Sequence, residues 1–346
     1  MTYTGKIIVL AYPDTFVAHS TERISKLLPF FGLGSKTHIK AGHAALVLIE
    51  NASGNAFYFD FGRYITPFGK GRVRGANTDA ELQIPFQAKY HLDGSLANLS
   101  EFLIWLESHP EKTHGDGRLL ASVCEAVNFQ KALGYITDLQ ARGSIPYGAF
   151  VKHGSNCSRF VADTILAATS QRKINKALTR NKRFTPSTVG NVEKAASFKK
   201  VYLVYKNKIS VFKGSALKEN LINYFARPKQ VTKIKTSVKM PSQAQCLNGI
   251  GSSAWFLLDV TVAMPLHYFK INRYSDDGQL DYEGVYFSTQ FKADIPYKFT
   301  YDSHCAFCHV IQENTLLKLE GLGAYSSFKE GHLTQDALER KVAVNK

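Results

Sequence analysis

Small and polar residues deliver a cysteine to the start of an amphipathic segment at Gly154-Ser155-Asn156-Cys157-Ser158-Arg159-Phe160-Val161. The spacing of Phe160, Val161, Thr164, Ile165 and Ala168 predicts a helix over residues 157–169 with one buried face. A thiol in the first turn of a helix faces unpaired N–H groups and the positive end of the helix dipole. Both stabilise a thiolate, and the same donors receive a developing oxyanion. Such a thiol needs a base. His43 opens the apolar run Ala44-Ala45-Leu46-Val47 just after Gly42, which places an imidazole at the rim of a sheet. The returning run Tyr58-Phe59-Asp60-Phe61 follows the turn residues Asn51-Ala52-Ser53-Gly54-Asn55, a hairpin signal. Counting back from that turn sets His43 opposite about residue 63, within a few positions of Asp60. An aspartate among phenylalanines requires a partner, either His43 or a nearby arginine such as Arg63.

A histidine opening a strand, a polar residue in the next strand and a later Asn-Cys-Ser at a helix start occur here in that chain order. In this the sequence resembles the circularly permuted papain-like proteins of the NlpC type, which include the lecithin:retinol acyltransferase relatives. The resemblance covers residues 1–195, and it extends to a bacterial family with an appended β domain. It implies Cys157 as nucleophile, His43 as general base and Asp60 as the orienting third residue, where the commonest pattern has a histidine. The implied activity is that of a cysteine-dependent hydrolase or acyltransferase acting on a peptide, amide or acyl substrate without a cofactor. The rival reading is a catalytically silent binding protein that presents a basic surface to an anionic partner.

Asn156, Tyr147, His153 and Arg63 are the candidates for lining the substrate cleft, with His153 a second choice of base. Arg63, Arg72, Arg74, Asp79 and Glu81 form a charged patch that reads either as an anion-binding loop or as solvated loop charge. The run His304-Cys305-Ala306-Phe307-Cys308-His309 holds the spacing of covalent haem attachment, a chemistry tied to export. Cys305 and Cys308 with Cys246 and His304 make a possible zinc set; packed thiols are the alternative.

The chain that must position these groups has 346 residues, 45% hydrophobic and 21% charged, which fits about two globular domains. Its net charge of +15 is concentrated in residues 172–239, where 18 Lys and Arg face only Glu193 and Glu219. That stretch reads as a solvated linker and helix face or as a site for an anionic partner; with no nucleic-acid motif, nucleic acid is disfavoured. The opening lacks a signal-peptide pattern and no transmembrane-length apolar run occurs, so the expectation is a cytoplasmic protein. Helices are predicted near residues 21–31, 99–108, 122–142 and 334–342, and loops with one short strand over 65–94. Short β-rich runs take over from about residue 198, beginning at residues 200–205 and 209–212. The expected fold is α+β: a permuted papain-like domain over residues 1–195, a mostly antiparallel β domain over 196–330, and a short helical tail over 331–346.

Overall fold

The run Ile7-Ile8-Val9-Leu10-Ala11 has no polar alternation, the mark of a strand covered on both faces. In the computed structural model, which describes residues 2–18, 38–184, 187–226 and 240–329, this run forms β1 (Gly5–Tyr12), buried throughout. It lies between β4 (His43–Glu50) and β7 (Leu119–Val127), antiparallel to both. β5 (Ala56–Gly62), β6 (Lys70–Arg74) and β8 (Ile145–Pro146) extend the sheet on one side, β9 (Tyr202–Tyr205) and β10 (Lys208–Val211) on the other. A separate two-stranded ribbon pairs β2 (Val17–Ala18) with β3 (His38–Ile39).

Period-two alternation splits the core between the two faces of the large sheet. Ile7, Val9, Leu46 and Leu48 pack with Ile136 of helix Phe129–Ala141, Phe160 and Ile165 of helix Cys157–Ala168, and Val189 of helix Thr188–Ala195. Ile8, Leu10, Val47 and Ile49 pack with Phe102, Leu103 and Leu106 of helix Leu99–Ser108.

A second sheet is wholly antiparallel in the order β11 (Gln245–Leu247), β12 (Ala254–Leu258), β13 (Tyr268–Tyr274), β14 (Leu280–Phe287), β17 (Thr315–Ala324), β16 (Phe307–Gln312), β15 (Tyr297–His304). Its edge strands β11 and β15 meet through the Gln245 amide, whose Oε1 accepts the Phe299 N–H at 2.8 Å. The fold class is α+β. No described helix is long and apolar enough to cross a membrane.

The chain divides into two compact units. The first unit comprises residues 1–62, 71–76 and 82–232; the second comprises 63–70, 77–81 and 233–346. β9 and β10, which follow the texture change near residue 198, complete the first sheet through the pairing of β9 with β7. Residues 119–127 are a strand although small residues give them a helical spacing; Asn128 then caps the helix by accepting the Lys131 N–H. The helices expected at 21–31 and 334–342, and the tail 331–346, lie outside the described residues.

Candidate active site

Cys157 is the first residue of helix Cys157–Ala168, and its position is fixed from both sides. Asn156 is extended and caps the helix, its side chain accepting the Arg159 N–H at 2.8 Å. The approach to the cap is pinned to β8, with Ser155 N–H donating to the Pro146 carbonyl at 3.0 Å. Gly154 is required there because a Cβ would stand 2.3 Å from the Pro146 carbonyl oxygen. Behind the first turn, the buried Asn191 amide donates to the Ser158 carbonyl at 2.7 Å and its hydroxyl at 3.0 Å.

His43 begins β4 directly opposite Tyr12 of β1, and the two rings stack with centroids 6.3 Å apart. Gly42 turns the chain into the strand with φ +72°, and a side chain there would meet the Thr188 hydroxyl at 2.9 Å. Across the hairpin Ala45 pairs with Asp60, so His43, two residues earlier, shares Asp60's face of the sheet. His43 Nε2 lies 3.3 Å from Asp60 Oδ2.

Asp60 is completely buried and multiply bonded. Arg74, its direct partner on β6, grips it with Nε to Oδ1 at 3.0 Å and Nη2 to Oδ2 at 2.6 Å. The Tyr58 hydroxyl donates to Oδ2 at 3.1 Å. Burial alone would raise the Asp60 carboxyl, but the charges and hydrogen bonds of Arg74 and His43 hold it well below the usual carboxylate range. Burial opposes a charged His43; hydrogen bonds to Asp60 and Cys157, together with their charges, lift the imidazole to about 9. The favoured state is therefore an imidazolium held between a carboxylate and a sulfur. Burial drives the thiols of Cys124, Cys305 and Cys308 the other way, each up to about 12.

His43, Asp60 and Cys157 are thus brought together, with Asn156 as the cap beside them. Tyr147 is stacked on Phe61 with centroids 5.9 Å apart, next to β8, and is bridged to Ser155. His153 is exposed, with φ +57°, and its carbonyl accepts from Arg142. Arg63 belongs to the second unit, where its carbonyl accepts the Gly251 N–H at 2.9 Å; the arginine that satisfies Asp60 is Arg74. The solvated-loop reading of the charged patch is corrected with it, since Arg63, Arg72, Arg74 and Asp79 are all buried. Counting from the hairpin turn finds Asp60 but not Arg74, whose strand is flanked by glycines that read as loop.

The zinc set is not assembled: the described residues contain no group of three or more metal-ligating side chains. Cys305 is buried in the turn between β15 and β16 and Cys308 is buried on β16, whereas Cys246 lies on β11 with its thiol directed to Asn248. The His304 ring packs on Phe307 and accepts the Ala306 N–H.

Residues 7–174, which include His43, Asp60, Arg74 and Cys157, match the family model described as type VI secretion system effector TseH-like. Residues 244–322 match the model of the DUF6695 C-terminal domain. The crystal structure of the type VI secretion system effector TseH is similar to this chain at 19% identity, covering 62% of this chain and 100% of that one with a TM-score of 0.41. No curated protein matches the chain.

Proposed function

We propose that this protein is a cysteine-dependent hydrolase of the permuted papain-like type, acting on an amide or ester bond as a type VI secretion effector. The observation that carries the chemistry is the buried His43–Asp60–Arg74 chain ending at a cysteine on a helix N-terminus. The TseH-like match over the same residues supports the effector role. In the proposed reaction the Cys157 sulfur attacks the carbonyl carbon while the N–H groups of the first helical turn receive the oxyanion. His43, oriented through Nε2 by Asp60, gives its proton from Nδ1 to the departing nitrogen or oxygen as the C–N or C–O bond breaks. Water then attacks the thioester carbonyl, His43 takes the water's proton, and the C–S bond breaks to release the acid and restore the thiolate beside the imidazolium.

The test is toxicity. Bacteria expressing the chain, with and without an added export leader, are expected to lose viability in at least one compartment, and Cys157→Ala at equal protein level is expected to restore growth. Toxicity unchanged by that substitution would end the enzymatic reading.

A second reading concerns the helix Arg172–Phe184. It buries Ile174 and Leu178 and leaves Arg172, Lys173, Lys176, Arg180 and Arg183 exposed, a cationic face suited to an anionic partner. Retention on a polyanion matrix is expected to weaken steeply with salt and to be the same for Cys157→Ala. Salt-independent retention would remove this reading.

A further inference from the structure

Helix Thr188–Ala195 is clamped to the large sheet. Val189 and Val192 are buried in the core it shares with β1, and the Ser122 hydroxyl of β7 donates to the Val192 carbonyl at 2.6 Å. Two of its residues, one turn apart, abut the two halves of the site: Thr188 lies against Gly42, just before His43, and Asn191 against Ser158, just after Cys157. Asn191 is completely buried, a placement that is costly for an amide unless its polar atoms are bonded. Here they are. Its Oδ1 accepts from Asn181 Nδ2 at 2.8 Å, and its Nδ2 donates to both the carbonyl and the hydroxyl of Ser158. Gly190 makes room for the arrangement, since a Cβ there would stand 2.3 Å from Asn181 Oδ1.

The cap decides why Ser158 is the residue held. Asn156 takes the Arg159 N–H with its side chain and the Phe160 N–H with its carbonyl at 2.9 Å. The first-turn donors left for a developing oxyanion are the N–H groups of Cys157 and Ser158. The Ser158 N–H belongs to the peptide that joins it to Cys157. Two bonds from one planar amide to the same residue fix Ser158, and with it the direction of that N–H.

Resting on the catalytic reading above, we propose that Asn191 is a positioning residue for the Cys157 site, acting through Ser158 to aim the first-turn N–H groups at the oxyanion. Without the Asn191 amide, Ser158 keeps only the bonds of its own helix, and the donor pair meets the oxyanion out of line. The loss falls on the transition state of carbonyl attack, where the negative charge develops, and not on the reach of the sulfur to other electrophiles.

The experiment compares two reagents at Cys157 in the full chain at neutral pH. p-Nitrophenyl acetate is attacked at its carbonyl carbon: charge passes to the carbonyl oxygen, then nitrophenolate leaves as the acetyl thioester forms. Iodoacetamide is attacked at its methylene carbon and loses iodide, and no oxyanion arises. The initial nitrophenolate release, corrected with Cys157→Ala, is divided by the rate of alkylation at Cys157 resolved by mass spectrometry. Asn191→Leu keeps nearly the shape of the side chain and removes its donors. It is expected to lower that ratio about tenfold, less than the ~10²–10³-fold lost when an oxyanion donor is removed outright. Ser158→Ala leaves the carbonyl bond in place, so it is expected to lower the ratio by about threefold, and it serves if Asn191→Leu does not fold. A merely structural role slows both reagents together, so an unchanged ratio in either folded variant overturns the proposal. A wild-type Cys157 no faster than the other four thiols is a different failure. It is visible without any variant, and it removes the catalytic reading together with this inference.

Discussion

Arg74→Ala is expected to destabilise the first unit by about 3–5 kcal/mol, the usual cost of stripping one partner from a buried ion pair. Asp60 is completely buried, and this substitution removes both guanidinium bonds to it along with the Arg74 bond to the Lys112 carbonyl. The cost arises less from lost attraction than from leaving a carboxylate in the core without the cation that grips both of its oxygens. The pH dependence follows from the depressed Asp60. Its contribution is present above the unfolded value of 3.8 and is lost as pH falls through the lower folded value. Without Arg74 the folded value rises, so acid unfolding begins nearer neutrality. Urea titrations of both proteins across the acid range check the magnitude and the shift; equal stability at pH 7 would show that Asp60 does not depend on Arg74.

His43→Ala is expected to lower hydrolysis on the order of 10⁴-fold or more, close to the effect of Cys157→Ala, because a nucleophile and its base act as one unit. The same substitution has a thermodynamic signature that needs no substrate. A His43 raised from 6.5 to about 9 stabilises the fold fully below pH 6.5, and that stability drains away as pH rises through 9. The wild type is therefore expected to lose stability across that window relative to His43→Ala, measured by denaturant titration at fixed salt. Parallel stability curves would contradict the raised imidazole.

The part of the site carried by local pattern is legible in the sequence. Turn residues 51–55 between two apolar runs fix the β4–β5 pairing, and that pairing brings Asp60 near His43. Gly154 to Asn156 mark a helix start because Asn156 is a cap and Gly154 must let the chain pass the Pro146 carbonyl. The rest depends on partners distant in sequence. Arg74 meets Asp60 only because β6 pairs with β5, and nothing in Gly69-Lys70-Gly71-Arg72-Val73-Arg74 announces a buried strand of a sheet. Arg63 attracts attention by nearness along the chain, yet it belongs to the second unit. Strand β7 reads as a helix because alanine, serine and cysteine fill a position covered on both faces, where size rather than β propensity governs the choice. β9 and β10 are recognisable as strands, but a local pattern carries no information about which sheet receives them.

The most direct test of the central claim is the rate of iodoacetamide labelling at each of the five cysteines between pH 5 and 9, in wild type and His43→Ala. Cys157 is expected to react far ahead of Cys124, Cys305 and Cys308, whose thiols burial pushes up to about 12, and to keep this lead below pH 7. His43→Ala is expected to abolish the lead. A Cys157 that labels no faster than the other thiols, or one whose rate is indifferent to His43, would contradict that claim.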